Sequence, residues 1–64
     1  MITVTKLNTQ GFVINSDLIE TIEQTPDTVI TMSTGNKYVV KETQEQIINK
    51  IISFKRKILL PVEG

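Results

Sequence analysis

The chain has 64 residues, 7 basic against 7 acidic side chains, and neither cysteine nor histidine. Those absences exclude disulfides, thiol redox chemistry, thiolate or imidazole zinc sites and any histidine-based triad. A chain this short buries only about 60% of the surface that its unfolded form exposes, so its core leaves little margin without a partner chain.

Ile2, Val4 and Lys6 alternate with Thr3, Thr5 and Leu7, which predicts a half-buried first strand without deciding which row faces inward. Asn8-Thr9-Gln10-Gly11 supplies turn residues, with Gly11 expected to take the positive φ before a second strand at Phe12-Val13-Ile14. Asn15 is placed to cap a single helical turn through Asp17 and Leu18, or to close an Asx-turn. A third strand follows over Leu18 to Glu23, burying Ile22 and at least one of Leu18 and Ile19 and leaving Glu20 and Glu23 in water. Thr25-Pro26-Asp27-Thr28 is the clearest turn signal, with Pro26 expected at the first corner between adjacent antiparallel strands. The β-branched run Thr28 to Met32 is then reversed by Ser33-Thr34-Gly35-Asn36 into Lys37-Tyr38-Val39-Val40.

After Glu42 the period changes. Thr43 and Gln46 have capping-box spacing, and Glu45 suits the positive end of a helix. Ile47, Ile51, Phe54 and Ile58 form one apolar stripe, and Ile48, Ile52 and Leu59 form a second beside it. Gln46, Asn49, Lys50, Ser53 and Lys57 fall on the opposite side, and Pro61 ends the helix. The expected fold class is α+β: a small antiparallel β-meander of four or five short strands followed by one C-terminal amphipathic helix. Residues 1–60 form one domain in this reading, with a short tail at 61–64.

The chemistry is thin. Asp17, Glu20, Glu23 and Asp27 lack the spacing of a calcium loop and read as solvated carboxylates. Glu20 and Glu23 differ in parity, so on a regular strand they cannot pair. Gly11 and Gly35 have no phosphate-loop context, and Tyr38 reads as a sheet packing residue. No catalytic, cofactor-binding or metal-binding residue is nominated, and no enzymatic activity is expected. The sign of charge is uneven, acids dominating the first two-thirds of the chain while Lys50, Lys55, Arg56 and Lys57 gather near the end. That distribution suits helix-dipole complementarity, and a neutral, acid-rich domain does not favour nucleic acid. Met1 to Thr5 lacks the basic and apolar regions of a signal peptide, which points to a cytoplasmic location.

One sheet face covers one helical stripe, so the second stripe is expected to meet a symmetry mate, another protein or a peripheral membrane surface. Homo-oligomerisation through the C-terminal helix is the favoured outcome, with Phe54, Ile58 and Leu59 as interface residues, because they lie beyond the reach of so small a sheet.

From Met1 to about Ile58 the chain resembles the FlbD/SwrD family of small bacterial flagellar and swarming-motility proteins. The residues that carry the resemblance are Leu7-Asn8, Phe12 to Asn15, Asp17-Leu18-Ile19-Glu20-Thr21-Ile22-Glu23 and Thr25-Pro26-Asp27-Thr28-Val29-Ile30-Thr31. They continue in Gly35, Lys37 to Glu42 and the isoleucine-rich segment ending in Lys55-Arg56-Lys57. Family members commonly have glycine directly after the asparagine matching Asn8, where this chain has Thr9. Their Asn-Gly turn before the Lys-Tyr pair is Thr34-Gly35-Asn36 here. The resemblance implies a non-enzymatic accessory role in flagellar or swarming motility, through contact with the motor or stator apparatus at the inner face of the membrane. A weaker likeness in strand and hairpin texture to LytTR-type DNA-binding domains gives the alternative of a small nucleic-acid-binding or regulatory module.

Overall fold

A computed structural model describes the backbone of residues 1–59 and the side chains of residues 1–58. The elements in chain order are β1 (Ile2–Thr5), β2 (Gly11–Ile14), a 3₁₀ turn (Ser16–Leu18), β3 (Ile19–Gln24), β4 (Thr28–Met32), β5 (Lys37–Val40) and α1 (Gln44–Leu59). The α+β class is as expected, but the strands do not form one continuous meander. They make a two-stranded sheet, β1-β2, and a three-stranded sheet, β3-β4-β5, all antiparallel. The 3₁₀ turn breaks the succession between β2 and β3, with the Asn15 side chain accepting from the Asp17 amide at 3.0 Å. The sheets join instead where β1 ends beside β5, through an isolated Lys6–Val40 bridge and a bond from the Lys41 amide to the Thr5 carbonyl at 2.8 Å. The helix stop at Pro61, the tail at 61–64 and the Leu59 side chain lie outside the described residues.

The core selects Ile2 and Val4 from β1, opposite Ile14 and Phe12, and leaves Thr3 and Val13 outside. Ile30 on the central strand β4 is fully buried, in a row with Ile22 and Tyr38. Thr28, Met32 and Val40 are buried with it. The irregular pattern of β3 has a specific cause: the register shifts between Ile19 and Thr21. The extra residue changes parity, so Ile19 and Ile22 both pack on the core although they are an odd number of positions apart. The regular-strand premise for Glu20 and Glu23 therefore fails, but both side chains are exposed as expected. Leu18 is left outside, 44% exposed.

Two hairpins share one plan. In the first, the Lys6 amide donates to the Gln10 carbonyl at 2.8 Å and the Thr9 amide to the Lys6 carbonyl at 2.9 Å. In the second, the Met32 amide donates to the Asn36 carbonyl at 2.8 Å and the Gly35 amide to the Met32 carbonyl at 2.9 Å. Each is a three-residue loop whose last residue takes the left-handed conformation, Thr9 at φ 75° and Gly35 at φ 96°. Gly11, expected to supply the positive φ, is instead an ordinary strand residue paired with Thr5. Thr25-Pro26-Asp27 does join adjacent antiparallel strands, with Gln24 paired to Thr28. Pro26 sits in the middle of this three-residue loop after a cis peptide, not at the first corner of a four-residue turn.

Thr43 and Gln46 close a reciprocal capping box: the Thr43 amide donates to Gln46 Oε1 at 2.9 Å and the Gln46 amide to Thr43 Oγ1 at 3.1 Å. Gln44 pins the first turn to the end of β3, its amide donating to Gln24 Oε1 and its side chain to the Ile22 carbonyl. Ile47 is fully buried, and Ile51 and Phe54 pack partly buried against the core.

Candidate functional site

Thr5, at the end of β1, and Glu42, just beyond β5, meet where the two sheets join. The Thr5 amide donates to Glu42 Oε1 and its hydroxyl to Oε2, both at 2.8 Å. Burial pushes the Glu42 carboxyl up, but the two Thr5 donors, helped by Lys50, outweigh it and hold the group below its ordinary value. The clamp forms one wall of an open groove of about 570 Å³, lined also by Lys41, Gln46, Lys50 and Ser53. Lys50 and Ser53, read as part of the helix's polar side, thus lie beside β1. The one carboxylate in the groove is committed to fastening β1 to the β5–α1 connection. Sequence reading missed this clamp, because a Thr and a Glu separated by 37 positions carry no local pattern.

The remaining candidate acids are dispersed. Asp17 accepts from Lys55 Nζ at 2.9 Å, and that hydrogen bond and charge hold its carboxyl below the ordinary aspartate value. Glu20, Glu23 and Asp27 are exposed, and no group of acids that could hold a metal ion occurs among the described residues. The basic residues do not form one patch either: Lys55 is engaged by Asp17, Lys50 is half-buried in the groove, and Arg56 and Lys57 are exposed. Tyr38 packs against Phe12, ring centroids 5.3 Å apart, and Lys6 Nζ lies 5.3 Å from the Phe12 ring centre.

The most distinctive surface is on α1. Ile48 and Ile52 of the second stripe are 46% and 49% exposed, and Ile58, at the far end of the first stripe, is 58% exposed, while Ile47, Ile51 and Phe54 face the core. Of the three residues expected at an interface, Ile58 is at the surface, Phe54 is packed within its own domain, and the Leu59 side chain is outside the description. Ile48 and Ile52 run beside the Asp17–Lys55 pair and are flanked by exposed Glu45 and Arg56. Such a surface offers apolar contact with charged edges, the chemistry of macromolecular association.

No described helix is long and apolar enough to cross a membrane. Neither the curated proteins nor the solved structures provide a match to this chain. A family model described as flagellar and swarming motility proteins matches residues 1–59, nearly the whole chain, and the chain belongs to that family, FlbD.

Proposed function

We propose that this protein is a non-enzymatic accessory factor of flagellar or swarming motility, acting by protein–protein contact with a component of the motor or its stator apparatus at the cytoplasmic face of the membrane. The observation that carries the reading is the family match over residues 1–59. Two features support the mode of action. The chain has no thiol or imidazole, and Glu42, the carboxylate of the groove beside Thr5 and Lys50, is used to tie β1 to the chain after β5. The exposed isoleucines of α1 supply a contact surface, while Ile47 anchors the helix in the core.

The test is affinity capture of the tagged chain from motile cells, with partners identified by mass spectrometry, alongside a duplex-DNA shift assay over a range of salt. Enrichment of a motor or stator component that is lost with Ile52→Glu supports the reading. A reproducible, salt-sensitive DNA shift without such a component would favour the nucleic-acid-binding alternative.

A further inference from the structure

We infer that α1 pairs antiparallel with α1 of a second copy, along the line Glu45, Ile48, Ile52 and Arg56. The inference stands on the geometry of the helix; it takes the same face that the motility reading uses, so a motor partner would compete with the second copy, and sedimentation of the pure chain tests the pairing without any motor component. Ile48 and Ile52 are four positions apart, and at ~100° per residue they form a strip centred about 120° around the helix from buried Ile47. Two domains joined along that strip splay apart, so their sheets do not compete for the seam. Beside β3 the strip is bounded by the Asp17–Lys55 pair, with Gln44 bonded to Ile22 nearer the helix start. Glu45 and Arg56 lie together on the opposite, open flank, and both are exposed.

The charges select the occupant. A two-fold axis across antiparallel helices places the same flank of each helix together, so open flank meets open flank. The midpoint of Ile48 and Ile52 is position 50, and that of Glu45 and Arg56 lies half a residue further on. At 1.5 Å rise per residue the two axis positions differ by only about 0.8 Å, a slide of about 1.5 Å between the helices. One axis therefore sets Ile48 against the partner's Ile52 and Glu45 against the partner's Arg56, twice over. A parallel pair would instead set this flank against the partner's other flank, Glu45 level with Gln44 and Arg56 level with Lys55, and so would match neither charge with its opposite. The strip is thus self-complementary in both apolar contact and sign, which a lipid surface does not require.

A two-helix seam is smaller than a standard interface of about 1,200 Å² or more, so association is expected with Kd between roughly 10 µM and 1 mM. Sedimentation equilibrium of the full chain at low salt, up to about 1 mM, tests it, with circular dichroism verifying each fold. Wild type is expected to show a monomer–dimer equilibrium that Ile52→Glu abolishes with the fold retained. E45K and R56E are each expected to weaken association roughly ten-fold, since each turns two exposed attractions into two repulsions. The E45K/R56E double variant should recover it, and an equimolar mixture of the two single variants should associate more tightly than either alone. A folded wild type that is monomeric at every concentration would overturn the inference and leave the strip to a different partner. Dimers unaffected by Ile52→Glu, or single charge variants without rescue in the double variant or the mixture, would overturn the proposed seam.

Discussion

Replacing Thr9 by glycine should make the protein more stable. Thr9 holds φ 75°, a conformation that costs an L-residue about 1–2 kcal/mol and suits a β-branched side chain worst. Glycine removes that cost but gains freedom in the unfolded chain worth about 0.5–1 kcal/mol, leaving a net stabilisation of ~0.5–1 kcal/mol. The bonds that define the loop are retained, because Lys6, Thr9 and Gln10 use backbone groups and Asn8 Oδ1 receives the Gln10 amide. Only the exposed bond from the Thr9 hydroxyl to the Asn8 carbonyl is lost. For a domain of this size the gain corresponds to a rise in Tm of about 2–8 °C, measurable by circular dichroism or calorimetry. The second hairpin provides the reverse control. Gly35 occupies the same loop position at φ 96°, and a Cβ added there meets nothing within 4 Å. Gly35→Ala should therefore cost about 1 kcal/mol through the backbone alone. A lower Tm for Thr9→Gly, or no change for Gly35→Ala, would refute the matched-loop argument.

Other perturbations separate the core, cap and clamp. Ile47→Ala should cost about 2–5 kcal/mol, a large share of the roughly 3–10 kcal/mol expected for a chain this long, whereas Ile52→Ala should cost the monomer under about 0.5 kcal/mol; paired urea titrations compare them. Thr43→Ala should remove about 1 kcal/mol by opening the capping box, and near-equal denaturation midpoints would contradict it. Glu42 has a depressed folded pKa, so its contribution is full above the unfolded glutamate value of roughly 4.3 and is lost as pH falls through the lower folded value. Glu42→Gln should flatten that acid-side loss while costing about 1 kcal/mol at neutral pH, a figure discounted for exposure; an unchanged acid profile would count against the clamp. Lys55→Met should return the Asp17 carboxyl toward its ordinary titration, followed by NMR.

What could be read from sequence was whatever has a short-range signature. The Thr43–Gln46 cap, the Asn15 turn and the reversal at Gly35 each lie within four residues, and each has the expected geometry. The uncovered second stripe followed from period alone, since a narrow sheet faces only one side of a helix. Long-range registry was less legible. The shift between Ile19 and Thr21, which brings Ile19 and Ile22 to one face, is set by pairing with Thr31 and Met32 and not by β3 itself. Gly11 drew attention as the only glycine near the first turn, yet the three-residue loop puts the left-handed position two residues earlier, on Thr9. Position along the helix places Phe54 beyond a small sheet, but α1 packs along both β1 and β3, and Phe54 still reaches the core. The Thr5–Glu42 clamp links the chain ends of β1 and β5 and became visible only when the two sheets met.

The most direct test of the account is complementation in a motile bacterium that carries this gene. Deletion of the gene should reduce swarming or motor output, and the wild-type chain should restore it. Ile52→Glu, expressed at equal level and with an unchanged Tm as the purified protein, should fail to restore it, because it alters the exposed face of α1 without disturbing the core beneath. Full motility after deletion, or full rescue by Ile52→Glu, would contradict a motility role exercised through that face.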